Sequence, residues 1–243
     1  MKVIILAGGL GIRLSEYTKT IPKPMVKVAG YPLIIHIMSH YIKFGFNEFL
    51  IAAGYKGYVI KRYFKNYKKN GRTFKHKIFK KSCFVTIVDT GLKTLTGGRL
   101  KRLENYIGNN EEFFFTYGDG ISSINIKKLL SHHKKKKKKI TVTAVRPPAR
   151  FGELKLKNSK VIAFKEKPQT NEGWINGGFF VAKKNFFKLI KNDADILEKK
   201  PLEKATKQGE LNAYKHYGFW KCMDTVRDRE ELKEIYKKNK FKF

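Results

Sequence analysis

With 243 residues, 42% of them hydrophobic and 14% aromatic, the chain can bury a sizeable core and falls outside the disordered class. It carries 53 Lys and Arg against 20 Asp and Glu, a formal charge of +33. The excess is mostly Lys, spread along the chain beside abundant Ile, Phe, Asn and Tyr, whose codons are A/T-rich. Genome bias accounts for it, so neither a specific nucleic-acid partner nor a membrane partner is expected.

No apolar run approaches about 18 residues, which excludes a transmembrane helix. The N-terminus enters the first strand at once, which on this reading leaves no room for a signal peptide. Cys83 and Cys222 lack metal-type or redox-type spacing, and the expected setting is the reducing cytoplasm.

The apolar, β-branched Lys2-Val3-Ile4-Ile5 reads as a buried strand over 3–6. It feeds Leu6-Ala7-Gly8-Gly9-Leu10-Gly11-Ile12-Arg13, a glycine turn followed by Pro22-Lys23-Pro24. Such a turn offers backbone N–H groups to phosphates, because glycine tolerates positive φ and has no Cβ to hold a ligand off. Arg13 and Lys23 bring two cations to the same mouth. Neither the dinucleotide fingerprint nor the Walker loop is matched, and the spacing suits a nucleoside triphosphate.

A helix is expected over 32–44, with Leu33, Ile37, Tyr41 and Phe44 on one face. Further helices are expected over 58–67, 99–107, 126–133, 198–207 and 227–238, and further strands over 49–53, 85–89, 113–117, 140–145, 161–164, 178–182 and 211–216. This alternation predicts an α/β fold, Rossmann-like and layered, with a mixed, mostly parallel central sheet flanked by helices. No repeat or linker interrupts it. One domain is expected, with a nucleotide half to about residue 120 and a second half for the other substrate.

Thr96-Gly97-Gly98-Arg99 is a second glycine turn, suited either to capping a helix or to reading a base. Tyr117-Gly118-Asp119-Gly120 follows the apolar Phe113-Phe114-Phe115. A carboxylate at the end of a buried strand lies where open α/β sheets bind ligands, and opposite a triphosphate its task is to hold Mg²⁺. The alternative is a tight turn. Asp224 offers a second metal ligand or, alternatively, the N-cap of the last helix. Six lysines, 134–139, read as a solvated helix end and loop. His132 and His133 beside them are expected to face solvent. His36 and His40, at i, i+4, lack a third ligand and read as core or surface histidines. Glu166-Lys167-Pro168 and Trp174-Ile175-Asn176-Gly177-Gly178 complete the candidate words.

In order, these words resemble the sugar-phosphate nucleotidylyltransferases over essentially the full length, and most closely those that use CTP and glucose 1-phosphate. Further stretches carrying the resemblance are Gly54-Tyr55-Lys56-Gly57, Val88-Asp89-Thr90-Gly91 and Arg99-Leu100-Lys101-Arg102. The resemblance implies transfer of CMP from CTP to α-D-glucose 1-phosphate, with Mg²⁺ as cofactor and a homo-oligomer, commonly a hexamer. Leu6, Ala7, Gly8, Gly9, Gly11, Ile12 and Gly118 would surround the nucleotide. Arg13 would face its β- and γ-phosphates and Lys23 its α-phosphate, with Thr96 and Arg99 near base and ribose. Asp119 and Asp224 would bind the metal. Lys167 would hold the sugar phosphate, and Glu166, Asn176 and Gly177 the sugar, with Arg13, Lys23 and Lys167 as the catalytic cations. Two departures stand out: Ile12 replaces the family's usual threonine, and the stretch 68–82 is shorter. No Ser/His/Asp or Cys/His pair appears, as suits a reaction whose nucleophile is already ionised.

Overall fold

The computed structural model describes residues 1–65, 71–147, 153–165 and 173–238. In chain order the first elements are β1 (Lys2–Ala7), α1 (Ser15–Thr18), β2 (Lys27–Val28), β3 (Tyr31–Pro32), α2 (Leu33–Lys43), β4 (Glu48–Ala53) and α3 (Gly57–Tyr63). There follow β5 (Thr73–Ile78), β6 (Lys81–Asp89), α4 (Thr96–Lys101), α5 (Glu104–Ile107), β7 (Glu112–Tyr117), β8 (Gly120–Ser122), α6 (Ile126–Lys136) and β9 (Ile140–Val145). The chain ends with β10 (Glu153–Lys157), β11 (Lys160–Lys165), β12 (Ile175–Lys183), α7 (Lys200–Lys207), β13 (Leu211–His216), β14 (Trp220–Cys222) and α8 (Val226–Lys237).

Eight strands form one sheet in the order β13-β9-β12-β7-β1-β4-β6-β5. The pairs β1–β4, β1–β7, β4–β6 and β9–β13 are parallel. Strand β12 runs antiparallel to both neighbours, and β5 runs antiparallel to β6 at the edge. The expected mixed, mostly parallel sheet is present. Parallel neighbours need crossovers; α2 lies in the one from β1 to β4, α3 in the one from β4 to β6, and α7 in the one from β9 to β13.

Strand β1 shows how the sheet buries both faces. Val3, Ile5 and Ala7 belong to one core cluster, with Leu33, Ile37 and Tyr41 of α2 and Leu232 of α8. Ile4 and Leu6 belong to the opposite cluster, with Leu100, Leu103 and Ile107. The period of two along a strand produces this division. On the second face Phe115 stacks on Phe180 at 4.3 Å and Phe113 on Phe187 at 4.8 Å. Aromatic pairs at such distances add stabilisation beyond the area they bury.

Several expectations are corrected. Strand β6 begins at Lys81 and pairs with β5, a strand absent from the sequence reading. The two join through Phe79 and Lys80, whose φ values are 45° and 67°. Two-residue hairpins of this kind usually carry Asn-Gly or Asp-Gly, so the turn has no sequence signal. The strand expected over 161–164 lies in β11, which among the described residues pairs with β10 in a separate two-stranded sheet. The last part of the helix expected over 58–67 lies outside the described residues.

His133 does not face solvent: it is fully buried, and its Nδ1 lies 2.8 Å from Thr141 Oγ1. Helix α6 runs past it to Lys136, and Leu129 and His133, four apart, share the inward face. The lysines 134–138 are exposed, as expected for a solvated helix end. His36 and His40 are packed histidines whose Nε2 atoms donate to the carbonyls of Val28 (2.8 Å) and Ile124 (2.7 Å). Among the described residues no helix is long and apolar enough to cross a membrane.

Candidate active site

A cavity of about 920 Å³ opens at the carboxyl ends of β1 and β7. It is lined by the glycine turn from Leu6 to Arg13, by Lys23 and Pro24, by residues 92–96 with Arg99, and by Tyr117-Gly118-Asp119. Open α/β sheets place ligands at this edge because the strand-to-helix loops converge there.

Backbone bonds hold the turn in place. Gly8 O accepts from Tyr55 N (3.1 Å), and Leu6 O accepts from Gly118 N (3.0 Å). Gly11 adopts φ 66° and accepts from Leu14 N (2.9 Å). At Gly8 the requirement is space: a Cβ there would lie 2.2 Å from Arg99 Nη1. Gly118 is equally confined, its Cβ position being 2.8 Å from Pro24 and 2.9 Å from Leu6 O. Ile12 is 74% exposed, so the side chain that replaces threonine points to solvent at the cavity lip.

Arg99 lies under this turn, 5% exposed. Its Nη1 donates to Thr90 Oγ1 and Gly91 O (both 2.7 Å), and its Nη2 to Leu92 O (3.2 Å). Burial lowers the guanidinium pKa, partly offset by Asp89. Thr96 is engaged as well: its Oγ1 donates to Glu198 Oε2 (2.9 Å) and accepts from Leu197 N (2.9 Å). Both residues stand in the cavity wall with these groups already bonded to protein.

The charged centre is assembled from distant parts of the chain. Lys23 opens a short 3-10 turn between two prolines, whose fixed φ sets its direction. Its Nζ donates to Asp119 Oδ2 (2.8 Å) and to Asp224 Oδ1 (2.6 Å). Arg13 Nη1 reaches Asp224 Oδ2 at 2.8 Å. Burial alone would lower the Lys23 pKa, but Asp119 and the two carboxylate hydrogen bonds outweigh it and raise it. The ammonium therefore stays charged.

Strand β14 brings Asp224 to Asp119. It pairs antiparallel with β8, Cys222 opposite Gly120, and Met223 N donates to Asp119 O (2.8 Å). The backbone of Asp119 thus serves the turn while its carboxylate accepts from Lys23 Nζ. Asp224 is not the N-cap of α8. Thr225 takes that position and forms a capping box with Asp228, which leaves the Asp224 carboxylate to the site.

Asp119, Cys222 and Asp224 place one ligand atom each within 4.8 Å of one another. Two carboxylates already gripping one cation suit a hard divalent ion completed by phosphate oxygens. Cys222 does not fit that ion: burial, then the charge of Asp119, push its pKa up, so it remains a thiol.

On the far side, Asn176 and Gly177 sit at the start of β12, where the register against β9 shifts. Asn176 Oδ1 accepts from Gly178 N (2.8 Å), and its Nδ2 donates to the Tyr117 hydroxyl (3.2 Å). Gly177 O accepts from Trp220 Nε1 (2.7 Å). Glu166 and Lys167 lie outside the described residues. Tyr117, Thr90, Cys222 and Glu198, to which the sequence reading assigned no site role, bond to or lie beside the site residues. Tyr117 alone had a signal, its place beside Gly118-Asp119.

The nucleotidyl transferase family model matches residues 2–231. The chain belongs to this family. A glucose-1-phosphate cytidylyltransferase of Salmonella typhimurium is 47% identical over 251 aligned residues, covering 99% of this chain and 97% of that protein. A D-glycero-alpha-D-manno-heptose 1-phosphate guanylyltransferase of Aneurinibacillus thermoaerophilus is 30% identical, over 90% of this chain and 89% of its own. Among solved structures, HddC from Yersinia pseudotuberculosis complexed with GMP-PN superposes with a TM-score of 0.71 at 24% identity, covering 97% of this nucleotidyl transferase and 99% of HddC. That last likeness establishes the fold.

Proposed function

We propose that the protein transfers the CMP group of CTP to α-D-glucose 1-phosphate, giving CDP-glucose and pyrophosphate. The observation that carries this reading is the 47% identity to the Salmonella cytidylyltransferase over 99% of the chain. The cluster of Lys23, Asp119 and Asp224 at the cavity mouth supports it chemically.

A phosphate oxygen of glucose 1-phosphate attacks the α-phosphorus of CTP in line; the new P–O bond forms as the bond to pyrophosphate breaks. The nucleophile is already ionised near neutral pH, so no strong general base is required. The residues supply position and positive charge where negative charge grows. Gly8, Gly9 and Gly11 let the backbone approach the phosphates. Lys23 serves the α-phosphate, and Arg13 the β- and γ-phosphates. Asp119 and Asp224 would hold a divalent ion, Mg²⁺ on this reading, which would supply Lewis-acid charge. Asn176 and Gly177, with Glu166 and Lys167, receive the sugar phosphate. Thr96 and Arg99 shape the nucleotide wall through bonds to protein. Residues to about 120 thus form the nucleotide half and the remainder the sugar half of one catalytic unit. A cytoplasmic homo-oligomer completes the reading.

Pyrophosphate release, measured with Mg²⁺ and glucose 1-phosphate against CTP, UTP, dTTP and ATP, tests it. Strong preference for CTP is expected. Equal or greater turnover with another nucleotide would overturn the base assignment, and silence with all four would overturn the reaction.

A further inference from the structure

The loop from Lys191 to Lys199 leaves the sugar half and lies against the nucleotide wall. Asp193 O accepts from Leu95 N (2.8 Å) and Asp195 O from Gly97 N (2.9 Å). The fit needs glycine on the other side: a Cβ at Gly97 would lie 2.7 Å from Asp195 O, and one at Gly98 would lie 2.5 Å from Asp193 Cα. At the end of this loop is Glu198. The sequence pattern places it inside a helix, but α7 starts at Lys200 with Pro201 in its first turn, which leaves Glu198 on the connecting segment.

Its carboxylate receives two hydroxyls. One is Thr96, at the start of α4 in the nucleotide wall (2.9 Å); the other is Tyr117, at the end of β7. Tyr117 reaches the sugar side in turn, its hydroxyl accepting from Asn176. Its ring packs so closely on the Asn-Gly-Gly bend that a Cβ at Gly178 would meet it at 2.6 Å. A continuous chain therefore runs from Thr96 through Glu198 and Tyr117 to Asn176. Charge-assisted bonds of this kind are stronger than neutral ones and fix both hydroxyl rotors.

We propose that Glu198 is a positioning residue that couples the two substrate subsites. By holding Thr96 and Tyr117 at once, it makes the geometry of the nucleotide wall and that of the Asn176 bend one variable. A substrate that orders either end has then already ordered part of the other, so each strengthens the binding of its partner. The inference rests on the reading of the cavity as a site for CTP and a sugar 1-phosphate.

The test is a thermodynamic cycle on the full chain with Mg²⁺. The affinity of α,β-methylene-CTP, which cannot transfer its nucleotidyl group, is measured by calorimetry with and without saturating glucose 1-phosphate. The same is done for glucose 1-phosphate with and without the analogue. In the wild-type protein each ligand should tighten the other by the same factor, about tenfold. Glu198→Ala should bring that factor close to one while each ligand alone binds within a few-fold of wild type. Glu198→Gln keeps one acceptor and should lie between them. A residue that only supported the fold would lower the melting temperature or weaken both ligands alone, leaving the factor intact. That result, or a wild-type factor of one, would overturn the coupling while leaving the reaction assignment standing. Failure of the wild-type protein to bind either ligand would remove the assignment and the coupling together.

Discussion

Lys23 and the lysines 134–138 share one side chain and differ in everything that makes charge useful. Lys23 is 11% exposed, set between prolines and held by two carboxylates from opposite parts of the chain. The others extend from the end of α6 into solvent, where like charges repel and salt screens them. The formal charge counts all of them equally. A cation in a low-dielectric, fixed geometry acts far more strongly on a neighbouring charge than an exposed one, so Lys23 is the lysine the proposed reaction relies on.

The strongest way to break this contrast is at Lys23 itself. Lys23→Ala should lower kcat by about 10²–10³-fold, the usual cost of removing a group that stabilises transition-state charge. Steady-state pyrophosphate release measures it, and circular dichroism should show the fold retained. Activity within a few-fold of wild type would remove Lys23 from catalysis. Asp119→Asn should cause a comparable loss and also weaken binding of the divalent ion. Calorimetric titration with Mg²⁺ in the presence of the nucleotide analogue follows that second effect.

Gly8→Ala sharpens the contrast from below the phosphates. The new Cβ collides with the Arg99 guanidinium, 2.2 Å away in the present packing. The turn must shift, and the KM for CTP should rise about tenfold, equivalent to about 1.4 kcal/mol. The same substitution at Gly9, where nothing lies within 4 Å, should cost less unless a ligand occupies that space.

Acid should act on a different pair of groups. Burial holds the pKa values of His40 and His133 down at about 4, against an ordinary 6.5. Between these values the unfolded chain binds more protons than the folded one, so stability rises with pH across the interval. The contribution is complete above about pH 6.5 and is lost as pH falls toward 4. Melting temperatures over that range should show the drop, and His133→Gln should flatten part of it. The smallest effect is expected where the charge is densest. Changing Lys134, Lys135 and Lys136 to Gln should alter stability by no more than about 0.5 kcal/mol per site and leave turnover unchanged.

That the glycine turn, Pro22-Lys23-Pro24 and Asp119 meet at one cavity was legible because each is a local word at or after a strand end. The main strands were legible because burial on both faces leaves apolar runs. Asp224 was only half legible, since its neighbour Thr225 had to be seen taking the cap before the carboxylate was free. Glu198 and Cys222 were not legible. Their partners lie about a hundred positions away, and no periodicity encodes such meetings. His133 misled because the lysines beside it are exposed, although its spacing from Leu129 marked the inward face.

The capping box at Thr225 and Asp228 makes the final helix part of the machinery of the site. Asp224 is the last residue before that box, so the first turn of α8 anchors the peptide that aims its carboxylate. Leu232 and Tyr236 clamp the helix to the core below. A break along α8 should therefore loosen the hold of Asp224 on Lys23 and Arg13, far from the cut. Helix α8 is thus an anchor for the Asp224 carboxylate.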